Sequence, residues 1–213
     1  MICKVKKPIG ILFSIRLQNP QVHKEGIMIG FKSVLAVLLL LVLNIGCTRQ
    51  VDILKSGVGN WNKWRKENSV KPDLAGAHLE KCFLEGADLH DACLAGAHLD
   101  SAFLEGANFR EADLHEARLR GAALRAANFR GANLEGADLS KAYLPGARLD
   151  SARLDSADLR GAVLEEADLR GASLRRADLR EAILAGAKLQ GAILDGGYAD
   201  GANFTGAEFR DAK

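Results

Sequence analysis

Residues 87–111 read ADLHD-ACLAG-AHLDS-AFLEG-ANFRE. A large apolar residue holds the third place of every five, in Leu89, Leu94, Leu99, Leu104 and Phe109, and Ala stands two places before each. The rhythm continues outward in both directions, from Leu74 to Phe209. Of its 28 positions, 27 are Leu or Phe and the exception is Ala199. The Ala two places earlier fails only at Pro72, Cys82 and Gly197. A period of five is neither the 3.6 of a helix nor the two of a half-buried strand. A short fixed period held over two-thirds of a chain indicates a solenoid, in which each unit buries its apolar face only by stacking on the next. Leu and Phe fill the axis, Ala marks the closest approach of backbone to that axis, and glycines such as Gly86, Gly106, Gly121 and Gly131 ease the corners.

The repeats Ala87-Asp88-Leu89, Ala107-Asn108-Phe109, Ala137-Asp138-Leu139 and Ala177-Asp178-Leu179 resemble the Ala-(Asp/Asn)-Leu-x-x unit of the pentapeptide-repeat family. The resemblance implies an all-β fold, a right-handed quadrilateral β-helix with four pentads per coil. Residues 73–213 would then make about seven coils and a rod of about 34 Å, at about 4.8 Å per coil.

Upstream, Val34 to Leu43 is an unbroken apolar run preceded by Lys32 and followed by Asn-Ile-Gly-Cys. A positive segment, a short apolar core and a small residue before a cleavage point form an export signal. Cys47 resembles the lipidated cysteine of bacterial lipoproteins. Gly46 fits that pattern, whereas Asn44 departs from it where an aliphatic residue is expected. The alternative is an uncleaved membrane anchor over 29–46, at the threshold for spanning a bilayer. Met28 would start a signal of ordinary length, making 1–27 an overextended start and 28–47 the signal or anchor. Residues 48–72 read as a linker and cap. Leu54, Val58, Trp61 and Trp64 approximate a helical stripe, Asn60 is an N-cap candidate for a helix at 61–67, and Pro72 stops it. Trp61 and Trp64 are expected to lie over the open first coil.

The net charge of +2 hides an asymmetry: 73–213 carries 24 acidic and 17 basic residues, a net of −7, and 1–72 a net of +9. Residues twenty apart should share a face. One outward column then reads Phe83, Phe103, Ala123, Tyr143, Val163, Ile183 and Asn203, and contiguous apolar surface of this kind marks a protein partner. Its structural alternative is strand pairing alone. The next face carries His90, Arg110, Arg130, Asp150, Arg170, Gln190 and Arg210. Its interspersed acids point to inter-coil ion pairs, because a phosphate-binding stripe should be decidedly positive. His78 and His98 would stack, and two ligands are too few for a structural zinc site. Cys82 replaces an inward Ala and Cys93 points outward with no neighbouring base. Phe204 and Phe209 replace Leu in the last coil, and some pentapeptide-repeat proteins are known to dimerise through such an end.

The sequence contains no phosphate loop, nucleophile elbow or His-Glu zinc motif. The expectation is therefore a protein that is not an enzyme and uses no cofactor and no metal. It would be exported and membrane-anchored, a scaffold binding an unidentified protein partner through Phe83, Phe103, Tyr143, Val163 and Ile183. Phe204 and Phe209 would form a homodimer end, and nucleic acid is not an expected partner. The family resemblance supplies an alternative, a cytoplasmic DNA mimic acting on a type II topoisomerase (gyrase protection).

Overall fold

The computed structural model of the protein describes residues 50–213. The expected signal or anchor at 28–47, the alternative start at Met28 and the lipidation candidate Cys47 lie outside the described residues. From Asp73 onward, every backbone bridge is parallel and joins a residue to the one twenty positions ahead: Asp73 to Cys93, His78 to His98, Phe83 to Phe103, Asp88 to Asn108. A coil is thus four pentads, and four ladders run along the stack. Among the described residues, regular strands do not form. Each face contributes one bridged residue with turns on both sides, because five residues leave no room for more between corners.

The corner explains the period. Ala87 N–H donates to the Leu84 carbonyl at 3.0 Å, closing a four-residue turn. Its third residue, Gly86, has φ 68, while Glu85 keeps a negative φ, which defines a type II turn. Each following pentad repeats it. Where the third residue is not Gly, it is still left-handed, as in Lys81, Asp91 and Ser101. An L-residue there costs about 1–2 kcal/mol, and the coil hydrogen bonds hold it in place.

The inward Leu and Phe side chains from Leu74 to Leu189 are fully buried, as are the Ala residues two places before them. Phe109 and Phe129 stack face to face inside the coil, with centroids 4.8 Å apart. Burying each such Leu or Phe contributes about 1.5–3 kcal/mol.

The first coil is covered by helical residues 50–55 and by helix α1 (Val58–Glu67). Gly57, at φ 127, separates the two. The helix therefore begins before the expected Asn60, whose side chain instead bonds Ser56. Leu54 and Trp61 are fully buried against the first coil, and Trp64 stacks on Trp61 at 5.1 Å. The cap supplies hydrogen bonds that a preceding coil would have made. Trp61 Nε1–H donates to the Asp88 carbonyl at 2.8 Å and Arg65 Nη2 to the His90 carbonyl at 2.9 Å. Asn62 Oδ1 accepts from the Asp88 N–H at 2.8 Å. The tryptophans thus act as a lid on an otherwise open edge. Among the described residues, no helix is long and apolar enough to cross a membrane.

Leu139 is fully buried at mid-rod. Leu139→Arg is expected to abolish the cooperative unfolding transition in urea, since a buried unpaired charge exceeds the ~4 kcal/mol that few single changes reach. An unfolding curve like that of the parent would contradict the inward column.

Candidate functional site

The backbone donors set a pattern that three ladders keep at some rungs and one drops at every rung but its last. In a typical pentad such as Ala127-Asn128-Phe129-Arg130-Gly131, four of the five N–H groups find backbone acceptors. Ala127 N–H closes the turn, Asn128 N–H donates to the coil before, and Phe129 and Gly131 donate to the coil after. The fourth residue, Arg130, has no backbone acceptor, and its N–H donates to Asn128 Oδ1 at 3.2 Å. The same bond forms from Ser140 to Asp138 at 2.9 Å, from Arg160 to Asp158 at 3.0 Å and from Arg180 to Asp178 at 3.2 Å. This explains the Asp or Asn before the Leu: its short side chain satisfies the one amide the coil leaves over.

The ladder Phe83, Phe103, Ala123, Tyr143, Val163, Ile183, Asn203 gives up this bond until its last rung. No acceptor exists within it for the N–H groups of Glu85, Glu105, Arg125, Glu165 and Ala185, and at Pro145 there is no N–H to satisfy. In place of the carboxamide stands an apolar stripe. Phe83 is 53% and Phe103 39% exposed, and their rings stack 4.8 Å apart, only 7° from parallel. Tyr143 is 47% exposed, and Val163 and Ile183 are half-buried. At the adjoining corner, Ala126, Pro145, Gly146, Ala185 and Gly186 leave an open groove of about 690 Å³ edged by Arg125, Glu165 and Glu166. The five residues named from the sequence therefore share one surface.

The arginine column is mostly neutralised. Arg110 pairs with Glu111 at 2.9 Å, Arg130 with Asp150 at 3.0 Å and Arg170 with Asp168 at 2.5 Å. The second of these joins two coils as expected, and so do Arg118–Asp100, Arg153–Glu135 and Arg160–Asp178 on other faces, while the first and third are local. A second, local bond joins a carboxylate to the arginine two residues on. It holds the carboxyls of Asp158, Asp168 and Asp178 below the usual range, through the guanidiniums of Arg160, Arg170 and Arg180.

His78 and His98 do lie one above the other, with ring centroids 4.4 Å apart and planes tilted by 53°. A third group joins them that the sequence reading missed: Glu80 Oε1 lies 2.9 Å from His78 Nδ1 and 3.4 Å from His98 Nδ1. Burial pushes the Glu80 carboxyl up, and the His78 bond and the charges of both imidazoles outweigh it, so the group lies below its ordinary value. The signal was available, because a bridged residue and its second neighbour always meet across the corner. Cys82 is buried and Cys93 half-buried. At the far end, Phe204 is half-buried and Phe209 is 43% exposed, with their rings 5.3 Å apart.

A family model described as pentapeptide repeats matches eight copies in overlapping stretches, 73–106, 87–125, 122–161, 157–196 and 182–213. No curated protein matches the chain. Among solved structures, Rfr23, a pentapeptide repeat protein from the cyanobacterium Cyanothece 51142, is 38% identical over 42% of this chain. The match spans only 62% of Rfr23, with a TM-score of 0.42. HetL, a pentapeptide repeat protein involved in heterocyst differentiation regulation in Nostoc sp. strain PCC 7120, is 32% identical over 68% of this chain and 81% of its own, at a TM-score of 0.24. Trypsin-treated QnrB1, a plasmid-mediated fluoroquinolone resistance protein, is 22% identical over 67% of this chain and 74% of its own, at a TM-score of 0.53. That likeness is one of fold.

The donor count yields a paired test. Ala123→Asn should raise stability by about 0.5–1.5 kcal/mol by giving the Arg125 N–H an acceptor. Tyr143→Asn should gain nothing from this source, because Pro145 has no N–H. Urea midpoints of the two variants against the parent check both.

Proposed function

The chain belongs to the pentapeptide-repeat family, and from that premise we propose that it is a non-enzymatic scaffold presenting the Phe83–Ile183 ladder and the adjoining groove to a protein partner. The observation that carries this reading is the missing side-chain acceptor. Asp or Asn at this position would satisfy the leftover amide, yet the ladder carries apolar groups instead, exposed at Phe83, Phe103 and Tyr143 and half-buried at Ala123, Val163 and Ile183. Pairing between rungs accounts for part of this, since Phe83 and Phe103 stack. It does not account for the solvent exposure of Phe83 and Tyr143, which a partner would cover. We take the rod as the family's right-handed quadrilateral β-helix of about seven coils. Export through 28–47, with a lipid anchor at Cys47, would hold it at a membrane surface. Phe204 and Phe209 offer apolar area to the same end of a second copy.

One observation favours a second reading. The net charge of −7 over 73–213 suits a DNA mimic acting on a type II topoisomerase. The paired arginines along the rod oppose it, since a phosphate mimic needs uncompensated acids.

Two experiments separate the readings. In the full chain, Phe83→Ser with Phe103→Ser should reduce partner capture by more than about tenfold, while thermal unfolding moves only by the lost stack, about 0.5–1.5 kcal/mol. Undiminished capture would sink the apolar face. In the same preparation the protein should leave DNA supercoiling by gyrase unchanged, and inhibition by the parent would favour the second reading. Separately, radiolabelled palmitate should enter the native protein and not Cys47→Ala, and equal labelling would rule out that anchor.

A further inference from the structure

We propose that His78, Glu80 and His98 form a surface site for a divalent late-transition-metal ion of the zinc, nickel or copper class, which ties the first coil to the second. Among the described residues, this is the group whose ligand atoms gather for the purpose, all within 4.8 Å of one another. Zinc bonds to imidazole nitrogen and carboxylate oxygen of about 2.0–2.1 Å place neighbouring tetrahedral ligands about 3.4 Å apart. The observed separations from Glu80 Oε1 are 3.4 Å to His98 Nδ1, which equals that spacing, and 2.9 Å to His78 Nδ1, which would have to widen by about 0.5 Å. Small side-chain rotations would admit the ion, and the backbone need not move, because His78 and His98 are bridged partners in adjacent coils.

The local chemistry agrees. Both imidazoles turn a ring nitrogen to the same carboxylate oxygen, an arrangement in which a cation can stand where a shared proton would. Two nitrogens and one oxygen suit the late divalent ions better than magnesium or calcium, which prefer all-oxygen sites. The next residue on the ladder, Arg118, is turned aside by Asp100 at 3.0 Å, although exposed Lys81 adjoins Glu80 in the chain. With the His78 side chain 70% exposed, the remaining coordination positions face solvent, as in an open three-ligand site. The other described histidines lack this setting. His90 lies 3.0 Å from the Arg65 guanidinium, whose charge opposes a cation, and His115 has a single carboxylate, Asp113, as partner.

The test uses the full chain stripped of metal with a chelator, then titrated with Zn²⁺ by calorimetry and with Co²⁺ by visible absorption. One Zn²⁺ should bind per chain, raise the thermal midpoint as binding to the folded state requires, and give Co²⁺ bands of nitrogen–oxygen ligation. His78→Ala with His98→Ala should weaken Zn²⁺ by more than about tenfold and abolish the thermal shift. Glu80→Gln should weaken it less, while His115→Ala and Cys93→Ser should match the parent. Circular dichroism before metal addition confirms that each variant is folded. Absence of saturable Zn²⁺ uptake, or parental binding by the folded double-histidine variant, would overturn the proposal.

Discussion

The amide of Leu84 donates to the carbonyl of Phe103, and the amide of Phe103 donates back to Cys82. Repeated at each pentad, this exchange across twenty residues is what the rest of the rod depends on. It fixes the coil length, so that only a turn every five residues can bring the chain round. The turn in turn demands one left-handed residue per corner and leaves one amide per pentad without a backbone partner. Leu and Ala follow from the same geometry, one side chain reaching the axis and the other standing where the backbone comes close to it. None of these features is stable alone, because a single coil buries almost nothing until a second lies on it.

Within so uniform a frame, departures carry the information. Three of the four ladders begin with polar residues that can serve the corner amide or bond between coils. The ladder starting at Phe83 is the exception, and it loses the local bond at successive corners. At its neighbouring corner, Pro145-Gly146 and Ala185-Gly186 leave an open groove between Arg125 and the Glu165-Glu166 pair. The loss of polarity along the ladder and this groove lie on one side of the rod. Many of the charged residues elsewhere are paired with one another, which limits any field of one sign along the rod.

Much of this was legible in the sequence because the side-chain period of the fold is an integer. A repeat of five over a coil of twenty lets columns be drawn without coordinates, and the Phe83–Ile183 column, the buried Leu series and the lid of Trp61 and Trp64 all follow. What escaped was local. The start of helix α1 was placed at Asn60 because a side-chain cap is the usual signal, whereas backbone freedom at Gly57 decided it. Stacking leads to the ion pairs between coils, such as Arg130 with Asp150 and Arg153 with Glu135, but not to the local ones at the corners. The corner brings a residue and its second neighbour together more closely, as Asp158 with Arg160 and His78 with Glu80 show. The brevity of the pentad leaves single bridged residues in place of strands.

Residue-resolved amide hydrogen exchange addresses the repeated coil exchange most directly. Leu104 and Gly106, which donate to the following coil, and Phe103, which donates to the preceding one, should be protected to the level of global unfolding. Glu105, between them, should exchange orders of magnitude faster, while Arg160, at the same corner position on a polar ladder, should be slowed by Asp158. Uniform protection across 103–106, or protection repeating at an interval other than five residues, would contradict the account.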